Sequence, residues 1–395
     1  MKIVFFTFYY PPDLSAGSFR AIALAQALSK RLNNNDELHI ITTHPNRYAT
    51  HRVEAEDIEI DGKTIIHRID VPRHQGGMFS QIRTFGVFAF SAFRLCRKLG
   101  PDFIIGTTSR LMTGVLAGWS ARWQNCDYFI DLRDIFSETI SDLFKRKNQL
   151  LGTITKSIFS FLEKRVFNGA AGVNVVSEGF PEYFQTEGID TSSWSFFSNG
   201  VDKEFLNFSY ASKGGFHNIK TILYAGNIGS GQGLETVIPA AAKRLGTGYR
   251  FLVVGGGGAN SLLVDAIERE GVSNVELLPP VGRVELMEYY QQADILFLHL
   301  NDVPAFRRVL PSKIFEYAAL SRPIVAGLSG YSAQFIRDYV PYAALFGPGD
   351  VDGCVESIQS VEDLNVEGNT VDHFVEKYSR ERIMDKMAEH ILSIV

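Results

Sequence analysis

The sequence lacks the features that mark several large classes of protein. Its three cysteines lie far apart and match neither a zinc-binding spacing nor a disulfide framework, so we expect a reducing compartment. The most apolar stretch, 84–93, is bounded by arginines and is far shorter than the ~20 residues that cross a bilayer. The start, MKIVFFTFYYPP, has no signal-peptide cleavage site. We therefore expect a cytoplasmic protein, either in solution or peripheral on the inner face of the cell membrane.

Charge and histidine content disfavour further classes. The net charge of −5 argues against nucleic acid as a partner of the whole chain. The nine histidines form no cluster with metal-ligand spacing. No dinucleotide-binding fingerprint follows the first predicted strand, which makes a dehydrogenase a distant candidate.

Apolar runs of strand length alternate with helical stretches along the chain, which predicts an α/β protein with doubly wound parallel sheets. The pattern restarts after a polar, glycine-rich stretch at 207–218, where we place the domain boundary. The end of the chain, from about 371 to 395, is predicted as one long helix. The predicted strands are 2–9, 37–43, 64–69, 102–108, 127–132, 172–177 and 193–198, then 220–228, 250–256, 274–279, 294–300, 322–327 and 342–347.

Three loops after predicted strands have the composition of anion sites, because ligands bind beyond the carboxyl ends of parallel strands. In 11–18, Gly17 and Ser18 stand at a predicted helix start, where N–H groups can meet an anion, or Ser18 is an ordinary helix cap. In 225–235, four glycines either wrap a phosphate or form a flexible turn. In 253–260, four more glycines permit close approach of a ligand and, equally, tight packing of strand against helix.

A fourth stretch, VLPSKIFEYAALSRPIVAG at 309–327, gathers charged groups at a predicted helix start. Lys313 and the helix N-terminus favour an anion there, and Glu316, one turn on, can accept two hydrogen bonds from a diol. One helix start could thus hold a phosphate and a ribose together. The alternative is a capping arrangement, with Ser312 as the cap and Glu316 as an exposed charge.

These motifs together resemble the family 4 glycosyltransferases, which have the two-domain GT-B fold. Within that family the chain is most similar to bacterial transferases that add N-acetylated amino sugars, such as fucosamine, in O-antigen and capsule assembly. The resemblance covers the whole chain and rests on YYPPDLSAGSFR, THPNR, FIDLRDIFSE, NGVD, YAGNIGSGQGLE, LVVGGGG, LPSKIFEYAALSRPIVAG and the PGD turn at 348–350.

The resemblance implies two Rossmann-like domains that face a central cleft. Residues 1–206 would bind the acceptor, 207–375 would bind the nucleotide sugar, and a helix at about 376–395 would cross back onto the first domain. The implied reaction is retaining transfer from a UDP-sugar to a lipid-linked acceptor, such as a polyprenyl diphosphate glycan, without a metal cofactor. Asp350 and Asp352 could suggest a metal motif, but we interpret them as turn and cap residues.

The resemblance also implies roles for individual residues. Glu316 would bind the ribose hydroxyls, the backbone of Gly282 and Arg283 would face the base, and Asn199–Asp202 would form the interdomain hinge. The implied donor-binding residues are Gly17, Ser18, Asn199, Gly226, Asn227, Gln232, Gly233, Gly255, Gly256, Gly282, Arg283, Ser312, Lys313 and Glu316.

The sequence departs from the family pattern at charged positions. Many family members have an arginine and a lysine where this chain has Asn227 and Gln232, and Arg308 replaces the first of two paired glutamates. We therefore predict that Lys313, with Arg307 or Arg308, balances the charge of the leaving diphosphate. In the DLRD stretch, the resemblance implies that Asp131 and Asp134 contact the sugar or the acceptor; the alternative is an ion pair inside the loop.

Two helical stretches combine apolar and basic residues. Arg83, Arg94, Arg97 and Lys98 fall within one arc of a predicted helix, and the stretch 143–165 is similarly mixed. Such helices can lie on anionic lipid, or they can simply cover a sheet with a solvated face.

Other functions remain open from the sequence. A GT-B sugar-nucleotide epimerase or hydrolase would share the donor site, and a partner subunit without catalytic activity would explain the absent arginine and lysine.

Overall fold

The computed structural model describes residues 1–13, 15–45, 54–72, 78–108, 111–135, 149–206, 219–364, 366 and 368–395. The chain divides into two compact units, Met1–Asn199 with Arg380–Val395, and Gly200–Ser379. Residues 200–206 thus belong to the second unit. The predicted boundary stretch 207–218 and residues 143–148 of the predicted basic helix lie outside the described residues.

The first unit contains an eight-stranded sheet in the order β3-β4-β2-β1-β5-β6-β7-β8. All neighbouring strands are parallel except β3, which runs antiparallel to β4. The strands are β1 (Lys2–Phe6), β2 (Glu37–Thr43), β3 (Ile58–Asp61), β4 (Thr64–Ile69), β5 (Phe103–Thr107), β6 (Asp127–Leu132), β7 (Gly172–Val175) and β8 (Ser195–Phe196). The helices are α1 (Ala16–Arg31), α2 (Met78–Leu99), α3 (Leu111–Gln124), α4 (Gln149–Asn168), α5 (Phe180–Thr186) and, from the chain end, α14 (Arg380–Leu392).

The core of the first unit forms because β1 is apolar on both faces, as buried parallel strands are. Ile3 and Phe5 of β1 lie in one cluster with Leu24 of α1 and with Met384 and Met387 of α14. The C-terminal helix α14 therefore completes the core of the first unit. Its exposed ion pairs to the end of α1 add little, because salt screens them.

Helix α2 is two-sided in a way that its sequence dictates. Thr84, Phe88, Ala92 and Cys96 recur every four residues and are buried, so the opposite face is exposed. Among the residues that the structure describes, no helix is both long enough and apolar enough to cross a membrane.

The second unit contains a six-stranded parallel sheet in the order β11-β10-β9-β12-β13-β14. Its core gathers apolar side chains from the central strands and from the helices that cover them. The strands are β9 (Lys220–Asn227), β10 (Tyr249–Gly256), β11 (Val275–Leu278), β12 (Ile295–His299), β13 (Ile324–Gly327) and β14 (Ala343–Phe346). The helices are α6 (Lys203–Leu206), α7 (Leu234–Leu245), α8 (Asn260–Glu270), α9 (Arg283–Gln292), α10 (Ser312–Ala318), α11 (Gly330–Tyr339), α12 (Val351–Val361) and α13 (Gly368–Tyr378).

The structure corrects the sequence prediction in two places. The predicted long final helix is two helices, α13 and α14, because Ser379 forms a bridge with Val201 and the carbonyl of Tyr378 accepts the Val201 N–H instead of a helical one. The edge strand β3 was not predicted. All four of its residues are exposed, so it lacks the one-sided burial that produces an alternating pattern.

Candidate functional site

The centre of the candidate site is the contact between Lys313 and Glu316 at the start of α10. Lys313 Nζ lies 2.9 Å from Glu316 Oε2, and the two side chains are 20% and 13% exposed. The hydroxyl of Tyr290 also lies 3.4 Å from the same carboxylate oxygen. The N-cap of α10 is Pro311 and carries no side-chain cap, so Ser312 is the first helical residue and the predicted alternative of a Ser312 cap is wrong. A cation, a carboxylate and uncapped N–H groups therefore lie together.

Residues 226–233, which are the end of β9 and the loop after it, lie directly against this contact. A Cβ built on Gly226 would lie 3.6 Å from Cε of Lys313. Farther along, Gly233 has φ 58°, and a Cβ there would lie 2.1 Å from Oδ1 of Asn301. Both the left-handed backbone and the lack of space require glycine at 233. The loop 226–233 thus has one shape, with Lys313 beside its first residue.

Two buried tyrosines fix the beginning of the loop. Tyr224 donates from its hydroxyl to the carbonyl of Asn227 at 2.6 Å. The hydroxyl of Tyr317 accepts the N–H of Ala225 at 3.0 Å. Burial raises the pKa of both phenols far above neutral pH, so both remain protonated.

His299, at the end of β12, fixes the other end of the loop. Its ring is fully buried, Nε2 accepts the N–H of Gly349 at 3.0 Å, and Nδ1 lies 2.6 Å from the carbonyl of Gln232. Because Nε2 accepts, Nδ1 must carry the proton and donate to Gln232. Burial lowers the pKa of the imidazole, and the bond to Gln232 opposes this only in part. A neutral histidine of defined tautomer therefore connects the glycine loop to the PGD turn.

The two arginines before α10 differ in their contacts. Arg307 forms two 2.7 Å bonds with the carboxylate of Asp302, to which Ser329 also donates. These bonds, chiefly those from Arg307, lower the pKa of the Asp302 carboxyl to about 2. Arg308 donates to the carbonyl of Pro304 at 3.1 Å. Arg307 and Lys313 are thus each paired with a carboxylate, and of the two it is Lys313 that lies beside Gly226.

Arg283 is predicted to face a base through its backbone, and its side chain is engaged elsewhere. Its guanidinium pairs with Asp202 and Glu204 and lies over the ring of Phe205. Although burial alone would lower its pKa, these carboxylates and Glu316 raise it. Gly282 is the N-cap of α9. Arg283 therefore holds residues 202–205 close to the Glu316 side of the site.

The run of glycines after β10 packs the sheet. Gly255 has φ 150°, and a Cβ there would lie 1.8 Å from the carbonyl oxygen of Gly226. A Cβ on Gly256 would lie 3.2 Å from the ring of Pro280. Neighbouring chain segments thus leave little room for a side chain at Gly255 or Gly256. This supports the alternative that these glycines allow tight packing within the fold.

The start of α1, in the first unit, is a separate group of predicted site residues. Ser15 is the N-cap and accepts the N–H of Ser18, so the prediction that Ser18 is itself the cap is wrong. The buried Oγ of Ser18 has no hydrogen-bond partner among the described residues. Gly17 lies against Arg133, whose Nη1 would be 2.6 Å from a Cβ at that position. Burial lowers the pKa of Arg133 to about 10, so it remains a cation at neutral pH.

The two aspartates of DLRD have different surroundings. Asp131 is 1% exposed and forms two 2.8 Å bonds with Arg20, while Asn174 donates to the same carboxylate at 2.8 Å. Burial would raise its pKa, but Arg20 lowers it overall. Asp131 is therefore a buried ion-pair partner of Arg20, which belongs to α1 and not to the DLRD stretch, and little of its surface is left for the predicted contact with substrate. Asp134 reaches solvent, and desolvation still raises the pKa of its carboxyl to about 6 against the pull of Arg133.

Asn199 ends the first unit and lies nearly buried. Its Oδ1 has no hydrogen-bond partner among the residues that the structure describes, and the next residue, Gly200, has φ 74°.

Asp350 accepts the N–H of Gly353 at 3.0 Å as the N-cap of α12, which confirms the interpretation of that residue as a cap. Asp352 pairs with Arg244. In the described part of the chain, no three His, Cys, Asp or Glu side chains are grouped as metal ligands would be.

Comparison with known proteins assigns both units. Residues 23–200 match the family described as "Glycosyl transferase 4-like domain", and residues 210–381 match "Glycosyl transferases group 1". Each of these two stretches therefore matches a glycosyl transferase domain family, and together the matches cover most of the chain.

Individual relatives agree with this assignment. A protein of Escherichia coli K12 assigned to colanic acid biosynthesis, the glycosyl transferase WcaI, is 24% identical over 411 residues, which cover 98% of this chain and 97% of that protein. HepE from Anabaena, solved with UDP and glucose, has a TM-score of 0.70 at 16% identity over 100% of both chains. A Listeria monocytogenes protein assigned as UDP-N-acetylglucosamine 2-epimerase has a TM-score of 0.58 at 11% identity, over 99% of this chain and 96% of its own. The predicted GT-B fold is confirmed.

In this glycosyl transferase, the two positions that lack the usual cations bond to each other. Asn227 Nδ2 donates to Gln232 Oε1 at 3.1 Å, and the N–H of Gly229 donates to the same oxygen at 3.0 Å. The neutral pair therefore closes the glycine loop from inside. Because neither side chain carries a charge, any cation that balances a bound diphosphate at this loop must come from another element.

Sequence reasoning missed the residues that shape the loop of this glycosyl transferase. Tyr224, Tyr317 and His299 lie in apolar runs, where an aromatic residue is ordinarily interpreted as core. The available signal was chemical, because a buried phenol or imidazole needs a hydrogen-bond partner, and Tyr224 directly precedes the predicted loop 225–235.

Proposed function

We propose that this glycosyl transferase moves a sugar from a UDP-sugar to a lipid-linked acceptor, with retention of configuration, in bacterial surface-polysaccharide biosynthesis. The observation that carries the proposal is the Lys313–Glu316 contact beside the loop 226–233. WcaI, assigned to colanic acid biosynthesis, supports the pathway class, and the HepE complex with UDP and glucose supports the donor class. The resemblance to fucosamine transferases favours an N-acetylated amino sugar.

In the proposed complex, the contact between Lys313 and Glu316 breaks, and each of the two side chains contacts the donor instead. Glu316 accepts hydrogen bonds from the two ribose hydroxyls, and Lys313 turns its ammonium to the diphosphate. Charge-assisted bonds of this kind are the stronger class of hydrogen bond. N–H groups of the glycine loop and of the uncapped start of α10 supply further donors to the phosphate oxygens.

Charge balance then defines the role of Lys313 in the reaction. As the bond between the anomeric carbon and the diphosphate oxygen breaks, negative charge grows on UDP. An acceptor hydroxyl oxygen forms the new bond to that carbon, and its proton passes to a phosphate oxygen of the departing UDP. Lys313 stabilises the growing charge from a fixed position, which lowers the barrier more than it tightens donor binding.

The proposal is tested by transfer from UDP-N-acetylhexosamines and UDP-hexoses to a polyprenyl diphosphate monosaccharide acceptor. We expect acceptor-dependent release of UDP and a product of retained anomeric configuration. Thermal shift with the same donors serves as the binding control. Donor binding without any acceptor-dependent product would contradict transfer.

We also propose that transfer needs no metal, because Lys313 and backbone N–H groups supply the positive charge. Excess chelator is expected to leave the transfer rate unchanged. Loss of transfer in chelator, with recovery on addition of manganese or magnesium, would overturn this part.

Two alternatives are separated by the same assay. An epimerase or hydrolase would change or release the sugar without an acceptor. The similarity in fold to the Listeria protein is the reason to test for this activity. A partner subunit without catalytic activity, which the uncharged Asn227 and Gln232 would explain, would bind the donor weakly and give no turnover.

We further propose that the protein works on the cytoplasmic face of an anionic membrane, where lipid-linked acceptors lie. The four cations predicted for this contact, Arg83, Arg94, Arg97 and Lys98, are all on exposed positions of α2. They lie away from the buried stripe of that helix. Basic residues beside a membrane are attracted by anionic lipid.

A further inference from the structure

Three helices of the first unit, α2, α3 and α4, carry almost only positive charge. Helix α2 has four Lys or Arg residues, α3 has one and α4 has three, which makes eight cations. The same helices contain a single carboxylate, Glu163, which is buried. The whole chain has a net charge of −5. Positive charge is therefore segregated onto these helices, which suits an anionic partner.

The same helices expose large apolar side chains. Phe90 of α2, Trp119 of α3 and Phe161 of α4 are 64%, 63% and 66% exposed. Trp123, Ile154 and Ile158 are also exposed. Arginines lie over two of the exposed rings, Arg94 over Phe90 and Arg97 over Trp123. Exposed aromatic residues mixed with cations are typical of proteins that contact the boundary between lipid headgroups and acyl chains.

A groove of about 1050 Å³ lies between α3 and α4. It can form because Gly118 and Gly169 face the ring of Tyr128, where a Cβ would lie 3.2 Å and 2.7 Å from its atoms. Trp119, Phe161 and Leu162 supply apolar lining.

The cations that line the groove are Arg122, Lys164 and Arg165, and Asp127 is the one carboxylate on the lining. None of the three cations forms an ion pair with a residue in the described ranges. The groove thus combines an excess of positive charge with an aromatic rim.

We propose that the groove between α3 and α4 binds the phosphate headgroup of an anionic membrane phospholipid. Arg122 and Arg165 meet the phosphodiester, for which guanidinium groups are suited. Trp119 and Phe161 lie at the level where the acyl chains begin. A nucleic acid would match the charge but would leave the exposed isoleucines of α4 without an apolar partner. This inference rests on the proposed membrane location but is independent of the sugar-transfer reaction.

The test compares matched pairs of charge removals in flotation with phosphatidylglycerol vesicles at low salt. Arg122→Gln with Arg165→Gln should weaken binding about tenfold or more, since each cation near such a surface contributes several-fold. Arg83→Gln with Lys98→Gln removes equal charge from α2 outside the groove and should weaken binding less. Arg269→Gln with Arg337→Gln, exposed on the second unit, should leave binding unchanged.

Fluorescence of Trp119 provides a direct measure of groove occupancy. Monomeric dihexanoyl phosphatidylglycerol should change the emission, the Trp119→Phe variant should lose that change, and dihexanoyl phosphatidylcholine should bind more weakly. Melting temperatures confirm that each variant is folded. If the α2 pair and the groove pair weaken vesicle binding equally, or if inorganic phosphate competes fully, the groove is not a lipid site. If the unaltered protein does not bind anionic vesicles, the proposed membrane location is wrong as well. Sugar transfer can still be measured separately.

Discussion

Replacing Lys313 with alanine is expected to lower kcat by about 10²–10³-fold with only a modest change in the donor KM. The structure supplies the reason. The loop 226–233 contains no cation, and its two candidate positions are a bonded Asn227–Gln232 pair. Arg307 is held by both carboxylate oxygens of Asp302, whereas Lys313 is held by one oxygen of Glu316. Lys313 lies beside the first residue of that loop. A charge that acts mainly as the leaving group departs affects kcat more than ground-state binding.

Matched variants make this test specific. Lys243 is an exposed lysine of the same unit, paired with Glu270, and Lys243→Ala should leave kcat unchanged. Arg307→Ala and Arg308→Ala should differ from each other, because their contacts differ. A folded Lys313→Ala enzyme with near wild-type kcat would make Lys313 a surface capping charge and would leave the diphosphate without its proposed partner.

Replacing Glu316 with alanine is expected to weaken UDP binding by about 1–3 kcal/mol, the cost of losing charge-assisted hydrogen bonds to the ribose diol. The structure adds a competing effect, since the same change frees Lys313 from its 2.9 Å contact. Titration calorimetry with UDP and with uridine separates the two effects. Uridine has the diol without the phosphates, so its affinity should fall with no compensation from Lys313.

Glu316→Gln is the conservative control, because it keeps an acceptor of similar shape without the charge. It should lose less affinity for uridine than Glu316→Ala does. Unchanged UDP and uridine affinity in a folded Glu316→Ala protein would remove the ribose assignment. Coupling between Lys313 and Glu316 is best measured in a double-mutant cycle, since residues in contact do not act additively.

The sequence was sufficient for most of the fold because the central strands are buried on both faces and are therefore apolar throughout. Strands β2, β4 and β6 have their predicted bounds. The short strand β8 and the exposed strand β3 lack that pattern and were poorly predicted or missed. Loop positions followed from the strands, since parallel sheets place their loops at fixed edges.

Partners distant in sequence were the part that could not be predicted. Asp131 pairs with Arg20, 111 residues away, and only the sheet register brings them together. The N-cap of α1 is Ser15 and not Ser18, because the backbone geometry decides where a helix starts and either serine could have been the cap. A single sequence contains no record of which of these contacts forms.

The tautomer of His299 gives the glycine loop a dependence on acidity. The fold holds the imidazole neutral by lowering its pKa, so the stabilisation is complete above the unfolded value of about 6.5 and is lost as the pH falls through the folded value. A proton on Nε2 would face the N–H of Gly349, donor against donor, so the ring would move away from the PGD turn and would shift the end of the loop at Gln232, to which Nδ1 is bonded. The affinity for a UDP-sugar, whose diphosphate diester does not titrate in this range, should therefore weaken between pH 7.5 and 5; a flat profile would show that the loop keeps its shape without this histidine. A fall in the pH around the protein would then slow the proposed reaction at donor capture, before any sugar is committed to the acceptor.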